Sequence, residues 1–184
     1  MSPAVSPQPQ SLPDTVQLRS VLGRFATGVT VVTTGSETPC GMTANSFTSV
    51  SVDPPLVLVC VTRGSALYRA LLREGSFAVS VLGAHQEDLA RYFADHARPR
   101  GAAEFAAVDW SPGPSTGAPV LHGALAWFDC TVVASYEGGD HEIFLGSVLA
   151  SEAGPERDAL LFHCGGFRRS PLGRTTRPSE SGAS

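Results

Sequence analysis

Apolar residues recur along this chain in short runs, and several of these runs alternate with polar residues as strands do. Within residues 124–132 every second position on one face is apolar, which is the period of a half-buried strand. Residues 56–61 are apolar without interruption, which favours a strand covered on both faces. Further strands are predicted at residues 29–34, 42–52, 77–82, 141–151 and 159–162, the last of which closes the domain.

Three segments have helical spacing instead. Asp14 is predicted to cap the first helix and Gly28 to end it. The apolar face of this helix consists of Leu18, Val21, Leu22 and Phe25. Shorter helices are predicted at residues 66–73 and 86–93. Because strands outnumber helices and strict βαβ alternation is absent, the pattern predicts a mainly β fold, a closed antiparallel barrel with helices on its rim, rather than a Rossmann or flavodoxin-like sheet.

The two ends differ from the centre. Prolines punctuate residues 1–13, and residues 170–184 are rich in Ser, Pro, Gly and Arg. Neither segment has periodic hydrophobicity, so both are predicted to be disordered tails around one folded domain at residues 14–169. A chain of 184 residues is the length of one ordinary domain.

Charge and hydropathy exclude several classes of protein. The net charge is −4 and all thirteen basic residues are arginines, of which no more than two are adjacent, so no nucleic-acid partner is predicted. The longest apolar run has six residues, against roughly 20 for a membrane-spanning helix. Residues 1–13 contain neither a basic residue nor an apolar stretch typical of a secretory signal. We therefore expect a cytoplasmic protein with no membrane partner.

Most catalytic motifs are missing from the sequence. The four cysteines form no C-x-x-C pair, which argues against a disulfide framework or a zinc site, and no metal is predicted. There is no dinucleotide-binding glycine motif after a strand, no phosphate-loop lysine and no G-x-S-x-G nucleophile elbow. An enzyme with neither nucleophile nor metal obtains its chemistry from a cofactor.

Three polar segments are candidates for a binding site. Residues 41–51 place Thr, Asn and Ser on both faces of a predicted strand, as would a wall against a flat polar-edged ligand or, alternatively, an exposed edge strand. Residues 62–65 (Thr-Arg-Gly-Ser) precede a helix and resemble an anion site; the alternative is an ordinary Ser65 cap with a solvated Arg63. His141 follows a glycine turn at a barrel mouth, where it is either catalytic or structural, with Asp140 fixing the turn.

In their order along the chain, these segments resemble the short-chain flavin reductases, which supply reduced flavin to two-component monooxygenases. The resemblance covers residues 18–167 and rests on Thr-Ala-Asn-Ser-Phe, Ser-Val-Ser-Val-Asp-Pro-Pro, Cys-Val-Thr-Arg-Gly-Ser, Phe-Ala-Val-Ser-Val-Leu and Gly-Asp-His. It implies an FMN-binding split β-barrel of Greek-key type, a homodimer with flavin near the interface, and reduction of FMN or FAD by NADH or NADPH. It also implies a flavin-dependent monooxygenase as partner, receiving the reduced flavin by diffusion.

The resemblance assigns roles by position. His141 is the catalytic residue and helps to place the nicotinamide. The isoalloxazine contacts are Thr43, Ala44, Asn45 and Ser46, with Ser49 and Val50 beside them. The phosphate contacts are Thr62, Arg63 and Ser65, and the aromatic residues Phe105 and Phe167 complete the flavin site. Glu104 departs from the family, which often has a basic residue there, and so does the late Phe-His-Cys-Gly-Gly-Phe segment (162–167), where an arginine before the glycine is common.

The mechanism expected from this resemblance needs no protein nucleophile. Hydride passes between two flat rings held face to face at about 3–3.5 Å, where positioning supplies much of the acceleration. Amides and hydroxyls of residues 43–46 would stabilise negative charge on the reduced ring. Two alternatives remain: a flavin-binding module without turnover, and a flavoenzyme that retains FMN and reduces an organic substrate directly.

Overall fold

The structure, a computed structural model, describes residues 14–155 and 157–170. The predicted tails at residues 1–13 and 171–184 lie outside the described residues. The three α-helices in the described part are α1 Thr15–Leu22, α2 Ala66–Glu74 and α3 Glu87–Ala94, with 3-10 turns at Ala84–Gln86 and Gly101–Phe105. The strands there are β1 Thr27–Gly28, β2 Thr30–Thr34, β3 Cys40–Ala44, β4 Thr48–Val52, β5 Pro55–Thr62, β6 Ser76–Val81, β7 Trp110–Pro112, β8 Pro119–Leu121, β9 Ala126–Gly138, β10 His141–Ala153, β11 Leu160–His163 and β12 Gly166–Arg169. The prediction of a mainly β, antiparallel fold with few helices is confirmed.

Seven strands form the main sheet in the order β3-β2-β6-β9-β10-β5-β4, and every pairing in it is antiparallel. The long β9–β10 hairpin places His141 opposite Gly138 on one side and opposite Thr62 of β5 on the other. The sheet curls, because Ser46, just beyond β3, hydrogen-bonds through Oγ to both the N–H and the carbonyl of Cys60 in β5, each at 3.0 Å. This contact brings the first strand of the sheet against the sixth.

Two apolar clusters stabilise this arrangement. Phe77 and Phe144 are at the centre of one cluster, and α2 packs onto it through Leu67 and Leu71. The other contains Phe93 of α3 together with Phe105, Leu121 and Leu160. Helices α2 and α3 therefore each cover one side of the curled sheet with an apolar face.

The structure corrects the first predicted helix. Asp14 does cap α1, accepting from the N–H of Val16 at 3.2 Å, but the helix ends at Leu22 with Gly23 as its C-cap rather than at Gly28. Gly28 instead pairs with Leu161 of β11, a long-range contact that helical spacing does not reveal. None of the apolar residues of α1 is buried.

Two strand predictions also differ from the structure. The segment 42–52 is not one strand: it breaks at residues 45–47, between β3 and β4, where the Ser46 side chain is bonded to β5. The segment 159–162 is not the last strand. Cys164 and Gly165 both adopt positive φ, 50° and 75°, and this two-residue turn reverses the chain into β12.

No described helix combines the length and the apolar composition needed to cross a membrane.

Candidate functional site

A cavity of about 550 Å³ opens where the end of β3 meets β5 and the start of β10, and we call it the β3 cavity. Its lining residues are Met42, Thr43, Ala44, Asn45, Ser46, Cys60, Thr62, Ala94, His96, Gly138, His141 and Ile143. The structure thus brings together six residues predicted from three separate segments: Thr43, Ala44, Asn45, Ser46, Thr62 and His141.

The wall of this cavity is held in place by its own polar groups. Thr43 donates from Oγ1 to the carbonyl of Ala90 in α3 at 2.7 Å, and Ser46 is tied to Cys60 as described above. Asn45 lies between them and is exposed. β3 is therefore both an edge strand of the sheet and a wall of the cavity, although none of its residues is exposed.

His141 lies at the mouth of the cavity within a hydrogen-bonded chain of three side chains. Its Nδ1 atom is 2.7 Å from Oδ1 of Asp140, and its Nε2 atom is 3.2 Å from Oγ1 of Thr62. The hydrogen bond to His141, followed by the charge interaction with it, holds the pKa of Asp140 below its usual value. The ring is thus fixed from both nitrogens, and 40% of its side chain remains exposed.

The side chains of the loop before α2 form more contacts than the sequence indicates. Ser65 caps α2 by accepting from the N–H of Tyr68 at 3.1 Å, which is the ordinary alternative. Arg63 is not simply solvated: its guanidinium lies 2.8 Å from Glu137 and 3.7 Å from Glu142. Glu137 in particular raises the pKa of Arg63. The guanidinium of Arg63 therefore interacts with the β9–β10 hairpin, although the residue itself belongs to the loop before α2.

A second cavity, of about 720 Å³, lies on the other side of this loop, and we call it the arginine groove. It runs between α2, the start of β3 and the segment 96–104. Five arginines line it: Arg63, Arg69, Arg73, Arg98 and Arg100. Met42, Thr62 and His96 line both the groove and the β3 cavity, so the two cavities adjoin.

A buried ion pair forms one wall of the groove. Nε of Arg98 lies 2.6 Å from Oε1 of Glu104, and the two side chains are 4% and 0% exposed. Arg98 also donates to the carbonyls of Gly41 and Asp95. Glu104, which departs from the family pattern, therefore neutralises a buried arginine. Gly41 is needed beside it, because a Cβ there would lie 2.7 Å from the ring of Phe93.

Besides Arg63 and Ser65, which line the arginine groove, four predicted flavin contacts lie outside the β3 cavity. Ser49 and Val50 are exposed on β4, at the edge of the sheet, and neither lines the cavity. Phe105 is a core residue, 4% exposed and packed on Phe93 and Trp110 with ring centroids 5.4 and 5.8 Å apart, so its placement does not support a flavin contact. Phe167 lines a neighbouring cleft of about 200 Å³, with Phe162, Thr43, Ala44 and Asn45, and so approaches the wall from its other side.

Sequence analysis identified Arg63 but missed the other four arginines of the groove. Arg69 and Arg73 are spaced i, i+4 on α2, a spacing that places them on one helix face. Arg98, Arg100 and His96 come from an irregular segment with no periodic signal. Only the tertiary fold brings the two sets together.

The β3 cavity is suited to binding and orientation rather than to nucleophilic attack. The thiol of Cys60 lines it, but burial raises the pKa of that thiol, so the thiol is the resting form at neutral pH. The remaining polar groups are hydroxyls, amides and the imidazoles of His96 and His141. They can donate and accept hydrogen bonds around a flat ligand, while the adjoining groove offers cations for an anionic extension.

The chain is similar to known proteins along most of its length. Residues 22–171 match the flavin reductase like domain family. An NADH-dependent FAD reductase of Streptomyces globisporus is 52% identical over 171 residues, 92% of this chain and 94% of that protein. The FMN reductase (NADH) SmoA of Agrobacterium fabrum is 43% identical over 152 residues, 82% and 83% of the two chains. The crystal structure of BorF, the flavin reductase component of a bacterial two-component tryptophan halogenase, is 51% identical with a TM-score of 0.82, covering 85% of this chain and 98% of that chain.

The chain therefore belongs to the flavin reductase like domain family, and the resemblance inferred from its sequence is confirmed. It is an NAD(P)H-dependent flavin reductase, an oxidoreductase that passes hydride from the reduced nicotinamide to FMN or FAD.

Proposed function

We propose that the β3 cavity holds the isoalloxazine ring and that His141 orients the nicotinamide against it. The observation that carries this assignment is the chain Asp140–His141–Thr62, which fixes an exposed imidazole at the mouth of the cavity. A ring held from both nitrogens has one orientation, and orientation is what hydride transfer between two bound rings requires.

The residues present fit a flavin ring. The cavity volume is within the usual range for small-ligand sites, and its wall combines apolar surface from Met42 and Ile143 with hydroxyl and amide groups. When bound, flavin supplies the acceptor atom for the hydride, since no side chain of this site is an electron carrier. Thr43 and Ser46 position the wall, and the exposed amide of Asn45 and backbone amides of residues 43–46 are placed to stabilise negative charge.

Ser49 and Val50 do not line the β3 cavity of their own chain, so we propose that they contact the flavin of a second copy of the chain. We infer a homodimeric split barrel of Greek-key type, because the described surface carries apolar side chains that the other described residues leave uncovered. In α1 and just after it, Val16, Val21, Leu22 and Phe25 are 72%, 63%, 63% and 78% exposed, and Val52 of β4 is 93% exposed. Exposed apolar surface on this scale is typical of subunit interfaces.

The oligomeric state provides a direct test of the dimer. Light scattering after gel filtration is expected to give twice the chain mass for the wild type and a lower mass for the double variant Val21→Asp/Leu22→Asp. Leu72→Asp, which makes the same change at an exposed position of α2, serves as the matched control. A monomeric wild type at micromolar concentration contradicts the dimer without touching the reductase assignment.

We further propose that reduced flavin leaves the site by diffusion and serves a flavin-dependent monooxygenase. The similarity to BorF, a component of a two-component system, supports this role. NADH is the proposed donor because both curated relatives described above are named for it. Cytoplasmic action is proposed as well: the four cysteines are free thiols, as expected where glutathione keeps proteins reduced.

One spectrophotometric experiment distinguishes the reductase from its two alternatives. NADH and NADPH oxidation is measured with FMN, FAD and riboflavin added in turn and in excess. The reductase consumes many equivalents of NADH per protein chain, and the rate depends on free flavin. A binding module binds flavin without this turnover, and a flavoenzyme that retains FMN purifies yellow and oxidises NADH slowly until its organic substrate is added.

A further inference from the structure

The edge strand β3 is held on its open side by two side chains rather than by another strand. β3 comes first in the main sheet, so within this sheet it pairs with β2 alone. Away from β2, the N–H of Gly41 donates to Oε1 of Glu104 at 3.4 Å, and the carbonyl of Gly41 accepts from Nη2 of Arg98. Gly41 is buried, so these two side chains replace water as partners of its backbone.

The ion pair offers Gly41 the same groups that a neighbouring strand would. Oε1 of Glu104 accepts from Gly41 and also from Nε of Arg98, the latter at 2.6 Å, while Arg98 donates back to Gly41. An acceptor and a donor side by side match the carbonyl and N–H of a paired strand. A buried ion pair contributes little net stability, because desolvation offsets the attraction of the charges. What this pair contributes is the position of the strand.

The pair also attaches β3 to the end of helix α3. Nη1 of Arg98 donates to the carbonyl of Asp95, just after the helix, at 2.6 Å. Two residues after Gly41, Thr43 donates to the carbonyl of Ala90 in the same helix. Strand β3 is therefore fixed to α3 at two points, and the ion pair provides the first of them.

This attachment affects the ring site because the wall of the β3 cavity begins just beyond it. A strand rises about 3.3 Å per residue, so Thr43 lies roughly 7 Å from Gly41 along the same strand. A shift of β3 at Gly41 is therefore passed on to residues 43–46. Hydride transfer between two stacked rings is sensitive to such shifts, since a misplacement of about 1 Å costs about 100-fold in rate.

We propose that Arg98 and Glu104 are positioning residues for hydride transfer, which act through Gly41 on the wall at residues 43–46. The inference rests on the proposed function, which places the isoalloxazine ring against that wall. Neither side chain lines the β3 cavity, so the pair acts without touching the ring. The second carboxylate oxygen of Glu104, Oε2, is buried and has no hydrogen-bond partner among the described residues, so Oε1 alone makes the contact.

Two variants separate the position of β3 from the stability of the protein. Glu104→Gln keeps an oxygen for the N–H of Gly41 but leaves the buried Arg98 without its counter-ion, so this variant should be less stable. The double variant Arg98→Met/Glu104→Leu removes both charges and should be more stable than Glu104→Gln. Neither of its new side chains bonds to Gly41. Stability and position therefore change in opposite directions in the two variants.

Steady-state rates with saturating riboflavin measure the effect, since riboflavin has no phosphate for the arginine groove. All variants are assayed at a temperature at which circular dichroism shows them folded. In the double variant kcat should fall by about 10-fold, with the KM for NADH changed by less than about 3-fold. Glu104→Gln should keep kcat within about 3-fold of the wild type. The matched control, Asp109→Leu/His122→Met, removes a charged pair outside the cavity and should keep the wild-type rate.

Amide hydrogen exchange in the flavin-free protein tests the contact at Gly41 directly. The Gly41 amide should exchange at least about 10-fold faster in the double variant, because it has lost its acceptor. In Glu104→Gln it should exchange at nearly the wild-type rate. Amides of β6 in the same samples report global opening and serve as the reference.

A double variant with wild-type kcat overturns the proposal, as do rates that follow the order of the melting temperatures or an unchanged Gly41 exchange rate. Should the double variant fail to fold, Arg98→Lys takes its place with the same expectation for kcat. Lysine keeps the charge but lacks the planar fork that reaches Gly41 and Glu104 together. Failure of the proposed function has a different signature: the wild type itself then oxidises no NADH with riboflavin, while the exchange measurement still tests the contact.

Discussion

Nε2 of His141 lies 3.2 Å from Oγ1 of Thr62, across the paired strands β10 and β5. The other ring nitrogen faces Asp140, whose ionised carboxylate only accepts hydrogen bonds, so Nδ1 carries a proton. With a neutral imidazole, the Thr62 hydroxyl must then donate its one proton to Nε2. A phosphate oxygen also only accepts hydrogen bonds. If the Thr62 hydroxyl donates its proton to a phosphate, it can keep its hydrogen bond to His141 only by accepting one, and Nε2 must then be protonated as well.

Binding of a phosphate-bearing flavin is therefore expected to be accompanied by proton uptake at His141. Calorimetric titrations at pH 8, where flavin phosphate is already dianionic, in buffers of different ionisation enthalpy should give a net proton uptake for FMN and none for riboflavin. Thr62→Val is expected to abolish the uptake.

The other ionisable groups near this chain provide the controls. His96 lines the same cavity, Arg63 and Glu137 lie beside the loop, and Arg19 acts on Asp140. His96→Gln should leave proton uptake unchanged, and His141→Gln should remove it. The reverse result would show that the proton goes to His96 and that Thr62 does not connect phosphate to His141.

Replacing His141 by alanine is expected to lower reductase kcat/KM by about 10–100-fold, the loss of one positioning contact in the transition state. Flavin affinity should remain nearly intact, because the β3 wall and the groove persist. Initial rates over a range of NADH concentrations, with a separate flavin titration, measure both effects. His122→Ala, at an exposed histidine paired with Asp109 away from the cavity, is the control. Unchanged kinetics in His141→Ala would assign His141 a structural role.

Asp140 makes stability depend on pH in a defined direction. Its pKa is lower in the folded chain than the usual value near 3.9, because the carboxylate is bonded to His141. Its contribution is therefore fully present above about pH 4 and is lost as the pH falls through the lower, folded-state pKa. Urea unfolding should show Asp140→Asn to be less stable than the wild type at pH 6, with the difference narrowing at more acidic pH. Glu37→Gln, in an exposed loop, should show no such convergence.

Two substitutions at Ser65 separate its helix cap from its proposed phosphate contact. Ser65→Ala removes the acceptor for Tyr68 N–H and should destabilise the protein by about 1 kcal/mol. Ser65→Asp keeps a good cap and hence most of the stability, but its negative charge should weaken FMN binding more than riboflavin binding. Chemical unfolding and flavin titration report the two effects separately. Equal affinities of Ser65→Asp and the wild type for FMN contradict a phosphate contact at this position.

The Arg98–Glu104 pair predicts an asymmetry between single and double substitutions. Arg98→Met leaves the Glu104 carboxylate buried without its counter-ion, which should lower the free energy of unfolding by about 3–5 kcal/mol. Arg98→Met combined with Glu104→Leu removes both charges and should recover a large part of that loss. Denaturant unfolding of the two variants measures the difference. A double variant as unstable as the single one would mean that the hydrogen bonds of Arg98 to Gly41 and Asp95 dominate.

Local patterns predicted the parts of the fold that depend on local contacts. The alternation of apolar residues in β9 and their helical spacing in α2 correctly predicted these two elements. Each pattern arises because one element packs one face on one core. The break between β3 and β4 depends on Ser46 meeting Cys60, fourteen residues away, and strand propensity carries no record of that contact. The extra strand β12 was missed because Cys164, not a glycine, takes the first left-handed position of its turn.

The residues of the candidate site were likewise predicted only in part. Family resemblance located six of the twelve residues that line the β3 cavity, because these six lie in short sequence motifs. It also assigned Phe105 to the flavin, although that side chain is enclosed by Phe93 and Trp110, since a matching position does not fix its surroundings. Arg69 and Arg100 were missed, because they meet only when α2 folds against the segment after α3.

A chain without lysine draws the permanent positive charge of this groove wholly from guanidinium groups. Such groups stay protonated at every pH at which a protein of this kind works, and acetyl donors and other acylating metabolites do not modify them. The positive charge that these arginines give to the groove is consequently a constant of the molecule.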